Sequence, residues 1–318
     1  MRALVILALV LACAGTALAQ VAAGRPERAK TGTPDYALPE RATFQNLTLL
    51  ADGDAALIGI GPAVLFVSHA GQPAQTIERP RALGLVAQAI GGDGALWFAD
   101  GEGSAKRVDS SGRFFPIELA SPALAIAGDG AHTDVLEANA VESFDATGIV
   151  HRIPLGRKIA HGSIAALPNE IVVAADGIAG LIRIDRADHV EILKIADDLR
   201  PASLHVVGNT VWFPLYTGGK TATRRIGRVH DRIIQTIDLP TFAPVRGMGA
   251  GADNRFYVIE SFDVYGVVGL DGQLACERSI GTGFPGSIIA QMFVDGMGST
   301  YLTTSRVPGM FKVTDACR

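Results

Sequence analysis

A short apolar segment, preceded by a turn rich in Gly, Asp or Asn, recurs along the whole chain. It appears as ADGDAALIGI, GGDGALWFAD, GDGAHTDVLEA, LPNEIVVAAD, VGNTVWFPLY, ADNRFYVIES and DGMGSTYLTT. One aligned apolar residue from each gives Leu57, Trp97, Val135, Val172, Trp212, Tyr257 and Tyr301, with successive spacings of 40, 38, 37, 40, 45 and 44. A repeat of about forty residues is the length of one four-stranded sheet, and such a unit buries its apolar faces only by stacking on its neighbours.

Each unit continues in the same order, with a second apolar segment, a polar turn and an alternating strand. Examples are KRVDSSGRFFPIELA, ESFDATGIVHRIPLG, IRIDRADHVEILKIA, GRVHDRIIQTIDLP and GVVGLDGQLACERSI. The S-S-G, A-T-G and L-D-G turns suit hairpins. No stretch after the N-terminal segment carries a sustained helical period. These patterns predict an all-β chain folded as a seven-bladed β-propeller of four-stranded antiparallel blades. The last unit stops at FKVTDACR without an outer strand, while Pro34-Asp35-Tyr36-Ala37-Leu38-Pro39 resembles the outer-strand ends IIQTIDLP and VHRIPLG. The N-terminal segment is therefore expected to pair as the fourth strand of the last blade, which hides sheet edges that invite aggregation.

The first twenty residues, MRALVILALVLACAGTALAQ, read as a secretory signal peptide. Arg2 supplies the positive start, Leu4 to Ala14 the apolar run, and Ala17-Leu18-Ala19 the cleavage site. A lipoprotein anchored through Cys13 is the lesser alternative. The expected organisation is a signal peptide over 1–19, a flexible leader over 20–33 and one propeller domain over 34–318, in a monomer that is periplasmic or secreted. A net charge of −4 with no basic tract argues against nucleic acid as partner. No later apolar run reaches transmembrane length. Beyond Cys13 the chain has two cysteines, Cys276 and Cys317. In an oxidising compartment a disulfide between them is expected, the alternative being two buried thiols.

The strings DGALWFAD…AKRVDSSGRFFPIEL and NTVWFPLY…RRIGRVHDRIIQTIDLP resemble the repeat of the streptogramin (virginiamycin B) lyase-like propellers. That repeat runs roughly D-G-x-L-W-F-T-E, then I-G-R-I, then a turn and I-x-E-y-x-L-P. The resemblance spans about residues 41–316 and implies a seven-bladed propeller with a functional face around a central channel. It also implies a histidine general base, acidic residues and a bound magnesium. A Glu-x-His pair in a late blade belongs to that set. Glu260 matches its glutamate, but the residue two positions on is Phe262, and no Glu-x-His occurs in the chain. Without that imidazole the lyase reaction lacks its expected base.

Two groups of residues are expected to approach the channel mouth. Arg81, Ser121, His161, Arg200, Arg246 and Ser287 precede innermost strands, and Asp100, Glu137, Asp176, Tyr216, Glu260 and Thr304 end second strands. Convergent polar groups in a concave site suit ligand binding. Arg81, Asp100, Glu137, Arg200, Tyr216 and Arg246 are the candidate ligand-binding residues, and His161 and Glu260 the candidate catalytic ones. His205 reads as a packed core histidine, and Trp97 and Trp212 as inter-blade packing. The leading expectation is an exported propeller that binds a small molecule, glycan or protein partner at this face. A streptogramin-lyase-like or lactonase-like enzyme, assisted by a divalent metal such as magnesium or calcium, is the alternative. A structural partner acting through its outer surface is a third reading.

Overall fold

A computed structural model describes residues 36–37, 44–49, 55–60, 63–68, 73–78, 85–91, 95–100, 105–108, 114–145, 147–196, 198–218, 221–250, 255–260, 263–280, 288–294, 300–304 and 309–313. Up to Ile90 the description is of backbone and strand pairing. Arg81, Ser287, Cys317, the signal segment and the leader lie outside the described residues.

Among the described residues the strands form seven antiparallel sheets. The first sheet holds Phe44–Leu49, Ala55–Ile60, Ala63–Ser68 and Pro73–Glu78, and the second Leu85–Ile90, Leu96–Asp100, Ala105–Val108 and Phe114–Ile117. The third comprises Ala123–Gly128, Thr133–Glu137, Ala140–Asp145 and Gly148–Pro154, and the fourth Gly162–Leu167, Glu170–Ala175, Gly180–Asp185 and Val190–Lys194. In the fifth, a first strand split into Leu199–Pro201 and His205–Val207 precedes Thr210–Thr217, Thr221–His230 and Ile233–Asp238. The sixth runs Gly247–Ala250, Arg255–Ile259, Val264–Gly269 and Leu274–Ser279. The seventh joins Ile289–Val294, Thr300–Thr304 and Gly309–Val313 to Tyr36–Ala37, with Tyr36 opposite Met310 and Ala37 opposite Gly309.

The core is a series of contacts between neighbouring sheets, which explains the hydrophobic pattern strand by strand. Thr133–Glu137 and Glu170–Ala175 are buried at every position, because second strands are covered on both faces. The outer strand Val190–Lys194 alternates exposed with half-buried residues, because a single face packs inward. Trp97 of the second sheet meets Phe144 of the third with ring centroids 5.3 Å apart, and Trp212 of the fifth meets Phe256 of the sixth at 4.4 Å. Both tryptophans therefore pack between units, as their place in the repeat predicts. Where the sixth and seventh sheets touch, a Cβ on Gly249 would run into the Met292 carbonyl, so only glycine permits that approach.

Candidate functional site

The connections at one end of the fourth to sixth sheets bring several of the expected residues together. Strand pairing sets Arg200 directly opposite Tyr216 and Leu199 opposite Thr217, so guanidinium and phenol leave the sheet on one face. The Tyr216 hydroxyl donates to the Arg246 carbonyl oxygen at 2.6 Å, tying the fifth sheet to the start of the sixth. Burial pushes the Tyr216 phenol up, against the opposing pull of the Arg246 charge. Arg200 Nη1 donates to the Leu199 carbonyl at 2.8 Å. Asp176 is exposed beyond Glu170–Ala175, and its amide donates to the His161 carbonyl at 3.1 Å. Asp176, Arg200 and Tyr216 line a cavity of about 390 Å³ whose other walls are Gly, Ala and Pro. Gly177 and Gly218 lie in the left-handed region there, at φ 78° and 57°, where a side chain would be strained.

Glu137 and Glu260 are placed differently from the mouth position expected of them. Both are wholly buried, each against the connection that enters its own sheet. Glu137 Oε1 accepts the Ser121 amide at 2.8 Å, and its Oε2 accepts Arg152 Nη1 at 2.6 Å. Arg152 also reaches Glu142 at 3.1 Å and Asn139 at 2.8 Å. Glu260 Oε2 accepts the Ala243 amide at 3.0 Å, and Glu277 Oε1 accepts the adjacent Phe242 amide. Burial first, then the neighbouring Glu277, pushes Glu260 up to about 8. Glu137, saturated by an amide and a guanidinium, holds the chain together, whereas Glu260 receives one amide and keeps Oε1 buried without a hydrogen-bond partner.

The remaining candidates are scattered. His161 is exposed, with its carbonyl on Asp176. Asp100 ends its strand opposite Leu85, and Thr304 ends its strand opposite Ile289. His205 stands opposite Trp212, with Nε2 3.1 Å from Ser203 Oγ, and burial pushes it down to about 4, so it is neutral at physiological pH. Among the described residues no three His, Cys, Asp or Glu side chains gather as a metal site would require. Arg152 and Glu277 were missed by the sequence reading. Each sits in an alternating outer strand, where a charged residue ordinarily signals solvent, and only pairing across the sheet turns it inward.

No family model matches the sequence, and no curated protein matches it. Solved structures do. A streptogramin B lyase structure is 16% identical, with a TM-score of 0.71 over 88% of this chain and 96% of that one. A catalytically inactive virginiamycin B lyase from Staphylococcus aureus with quinupristin is 17% identical, at 0.71 over 90% and 99%. The RRP9 WD40 repeats are 10% identical, at 0.69 over 91% and 98%. The fold is a β-propeller. Its likeness to the lyases agrees with the repeat strings. At these identities the likeness establishes architecture alone, since propellers of this kind carry unrelated functions.

Proposed function

We propose that this chain is an exported, seven-bladed β-propeller whose channel face binds a small molecule, glycan or segment of a protein partner. The reading rests on the convergence of Asp176, Arg200 and Tyr216 around the cavity between the fourth and fifth sheets. One carboxylate, one guanidinium and one phenol on small-residue walls suit recognition of a polar ligand. Ring closure is supported by the pairing of Tyr36–Ala37 with Gly309 and Met310, and by contact of Ile289–Val294 with Phe44–Leu49. Arg81, Asp100 and Arg246 complete the proposed ring of polar residues.

A thermal-shift screen of short glycans, simple lactones and quinupristin tests this, each with magnesium, calcium or EDTA. A compound that raises the melting temperature of the native protein should lose its effect in Arg200→Ala and Asp176→Asn, by linkage of binding to stability. Shifts unchanged in both variants would remove this cavity from consideration. The second reading, a metal-assisted lyase-like or lactonase-like enzyme, is favoured by the lyase architecture of the neighbours. It requires turnover that depends on a divalent metal and is lost in His161→Ala.

Export and the disulfide belong to the same proposal. The proposed disulfide joins Cys276 to Cys317, a reading supported by the bonded state assigned to Cys276. The intact mass of the secreted protein should match a start at Gln20 and rise by about 2 Da on reduction, the mass of the two hydrogens a disulfide takes up. A retained signal segment, or a mass carrying lipid on Cys13, would overturn the cleavage site.

A further inference from the structure

The cavity between the fourth and fifth sheets opens where two prolines interrupt the ladder of the fifth. Pairing sets Pro201 opposite Leu215 and His205 opposite Trp212, so the three residues from Ala202 to Leu204 face only Phe213 and Pro214. Pro201 and Pro214 have no amide to give the ladder, and the first strand bulges between them. The bulge is held from two sides. The Ala202 amide donates to the Pro214 carbonyl at 3.2 Å, and the Leu204 amide to Ser163 Oγ of the fourth sheet at 3.0 Å. Beyond it the fifth-sheet hairpin stays paired as far as Thr217 opposite Thr221, whereas the fourth-sheet hairpin stops at Ala174 opposite Leu181. The Gly218 amide, donating to the Asp198 carbonyl at 3.0 Å, ties the longer hairpin to the start of the first strand. Bulge and hairpin together make one wall, with Arg200 and Tyr216 on it, and the fourth sheet makes the other with Asp176.

The two walls carry opposite charges. The Asp176 carboxylate makes no hydrogen bond and no ion pair among the described residues, so it does not neutralise Arg200 across the cavity. Arg200 is steadied by the bond from its Nη1 to the Leu199 carbonyl, and a guanidinium presents a planar fork of donors that matches a carboxylate. The Tyr216 hydroxyl commits its proton to the Arg246 carbonyl, which leaves the phenol oxygen as an acceptor. An anion entering this space is attracted by Arg200 and repelled by Asp176, and a cation meets the reverse. A ligand that carries both charges gains at both walls, and the same arrangement rejects singly charged competitors. At about 390 Å³ the cavity is at the small end of ligand sites, roughly 300–1,000 Å³. Its remaining lining of Ala, Gly and Pro offers no large apolar side chain to pack against.

We propose that the cavity binds a small zwitterion, a free amino acid or a dipeptide with small side chains, with its ammonium group on Asp176 and its carboxylate on Arg200. The inference rests on the binding reading of this cavity and narrows the ligand from a polar molecule in general to a dipolar one. An ammonium group has donors only and suits Asp176, while a carboxylate has acceptors only and suits Arg200.

Calorimetric titration of the native protein with alanine and alanyl-alanine, and with the N-acetyl and C-terminal amide form of each, is the direct measurement. At least one free zwitterion should bind, and blocking either of its ends should weaken it by about tenfold or more, the effect of losing one charge-assisted hydrogen bond. The substitutions should cross over. Asp176→Asn should bind the free and acetylated forms alike, and Arg200→Gln the acid and the amide alike. Should Arg200→Gln fail to fold, Asp176→Asn, at an exposed position, still decides with the blocked ligands. No binding of either free zwitterion at millimolar concentration would overturn the inference. So would equal binding of free and blocked forms, or a preference for the free form that survives both substitutions. A glycan or lactone whose thermal shift is lost in Asp176→Asn, with no zwitterion bound, would sink the zwitterion and leave the cavity reading standing. If no compound of either kind responds to the substitutions, both readings fail together.

Discussion

The third and sixth sheets both bury a glutamate at the end of the second strand, and in both that carboxyl receives an amide of the chain arriving from the previous sheet. Their charge balance is opposite. In the third, Arg152 lies against Glu137 and Glu142, so a cation stabilises the ionised carboxylates. Even there Glu142 is raised, by burial first and by the Glu137 charge second, with Arg152 pulling against both. In the sixth, Gly266 stands opposite Glu277 and supplies no side chain, and burial first, with the neighbouring Glu277 second, pushes Glu260 up to about 8. A buried negative charge is tolerable only when something neutralises it, and within one repeat the same backbone position accepts a guanidinium or a proton. The two solutions differ in their response to pH, since arginine stays protonated throughout the accessible range while a carboxylic acid does not.

Two substitutions test this contrast. The larger effect is expected from Arg152→Met, which strands Glu137 and Glu142 in a buried site without their cation. Removing one partner of a buried pair costs roughly 3–5 kcal/mol, so urea unfolding at pH 7 should lose a comparable amount. Lowering the pH towards 5 should recover part of it, because the stranded carboxylates can then take up a proton. A loss below about 1 kcal/mol, the range of exposed ion pairs, would show that Arg152 acts as a surface residue. A smaller effect is expected from Glu277→Arg, which gives the sixth sheet the outer-strand cation of the third, with Gly266 leaving room for it. Carboxyl carbon NMR should then find Glu260 titrating below its ordinary 4.5 instead of near 8. A Glu260 titration still near 8 in that variant would mean that burial alone raises it and that Glu277 is incidental.

Much of the fold can be read in the chain. The period of about forty residues, the continuously apolar second strands and the alternating outer strands each follow from how many faces a strand must cover. The tryptophans of the repeat point to the packing between sheets, and Arg200, Asp176 and Tyr216 are placed together by counting from the strand ends. Other features leave no such trace. The hairpin between His230 and Ile233 turns through Asp231 and Arg232, at φ 48° and 67°, without the Asn-Gly or Asp-Gly that usually marks such a turn. Glu137 and Glu260 share with Asp176 and Tyr216 a place at the end of a second strand. The Ser121 and Ala243 amides of the arriving chain meet the carboxyls of Glu137 and Glu260, whereas the Asp176 side chain stays exposed.

The sequence by itself determined the repeating unit and its stacking, because burial is local arithmetic: each strand's periodicity records how many of its faces meet another sheet. Only the tertiary structure decided which charged residues serve the cavity and which hold the sheets together. That choice depends on the side chain opposite, on a neighbouring strand or an incoming connection, and in the pairs of Arg152 with Glu137 and of the Ala243 amide with Glu260 the partners lie more than a dozen residues apart. Electrostatics in a low-dielectric interior is set by that neighbour, and a single position read along the chain does not contain it.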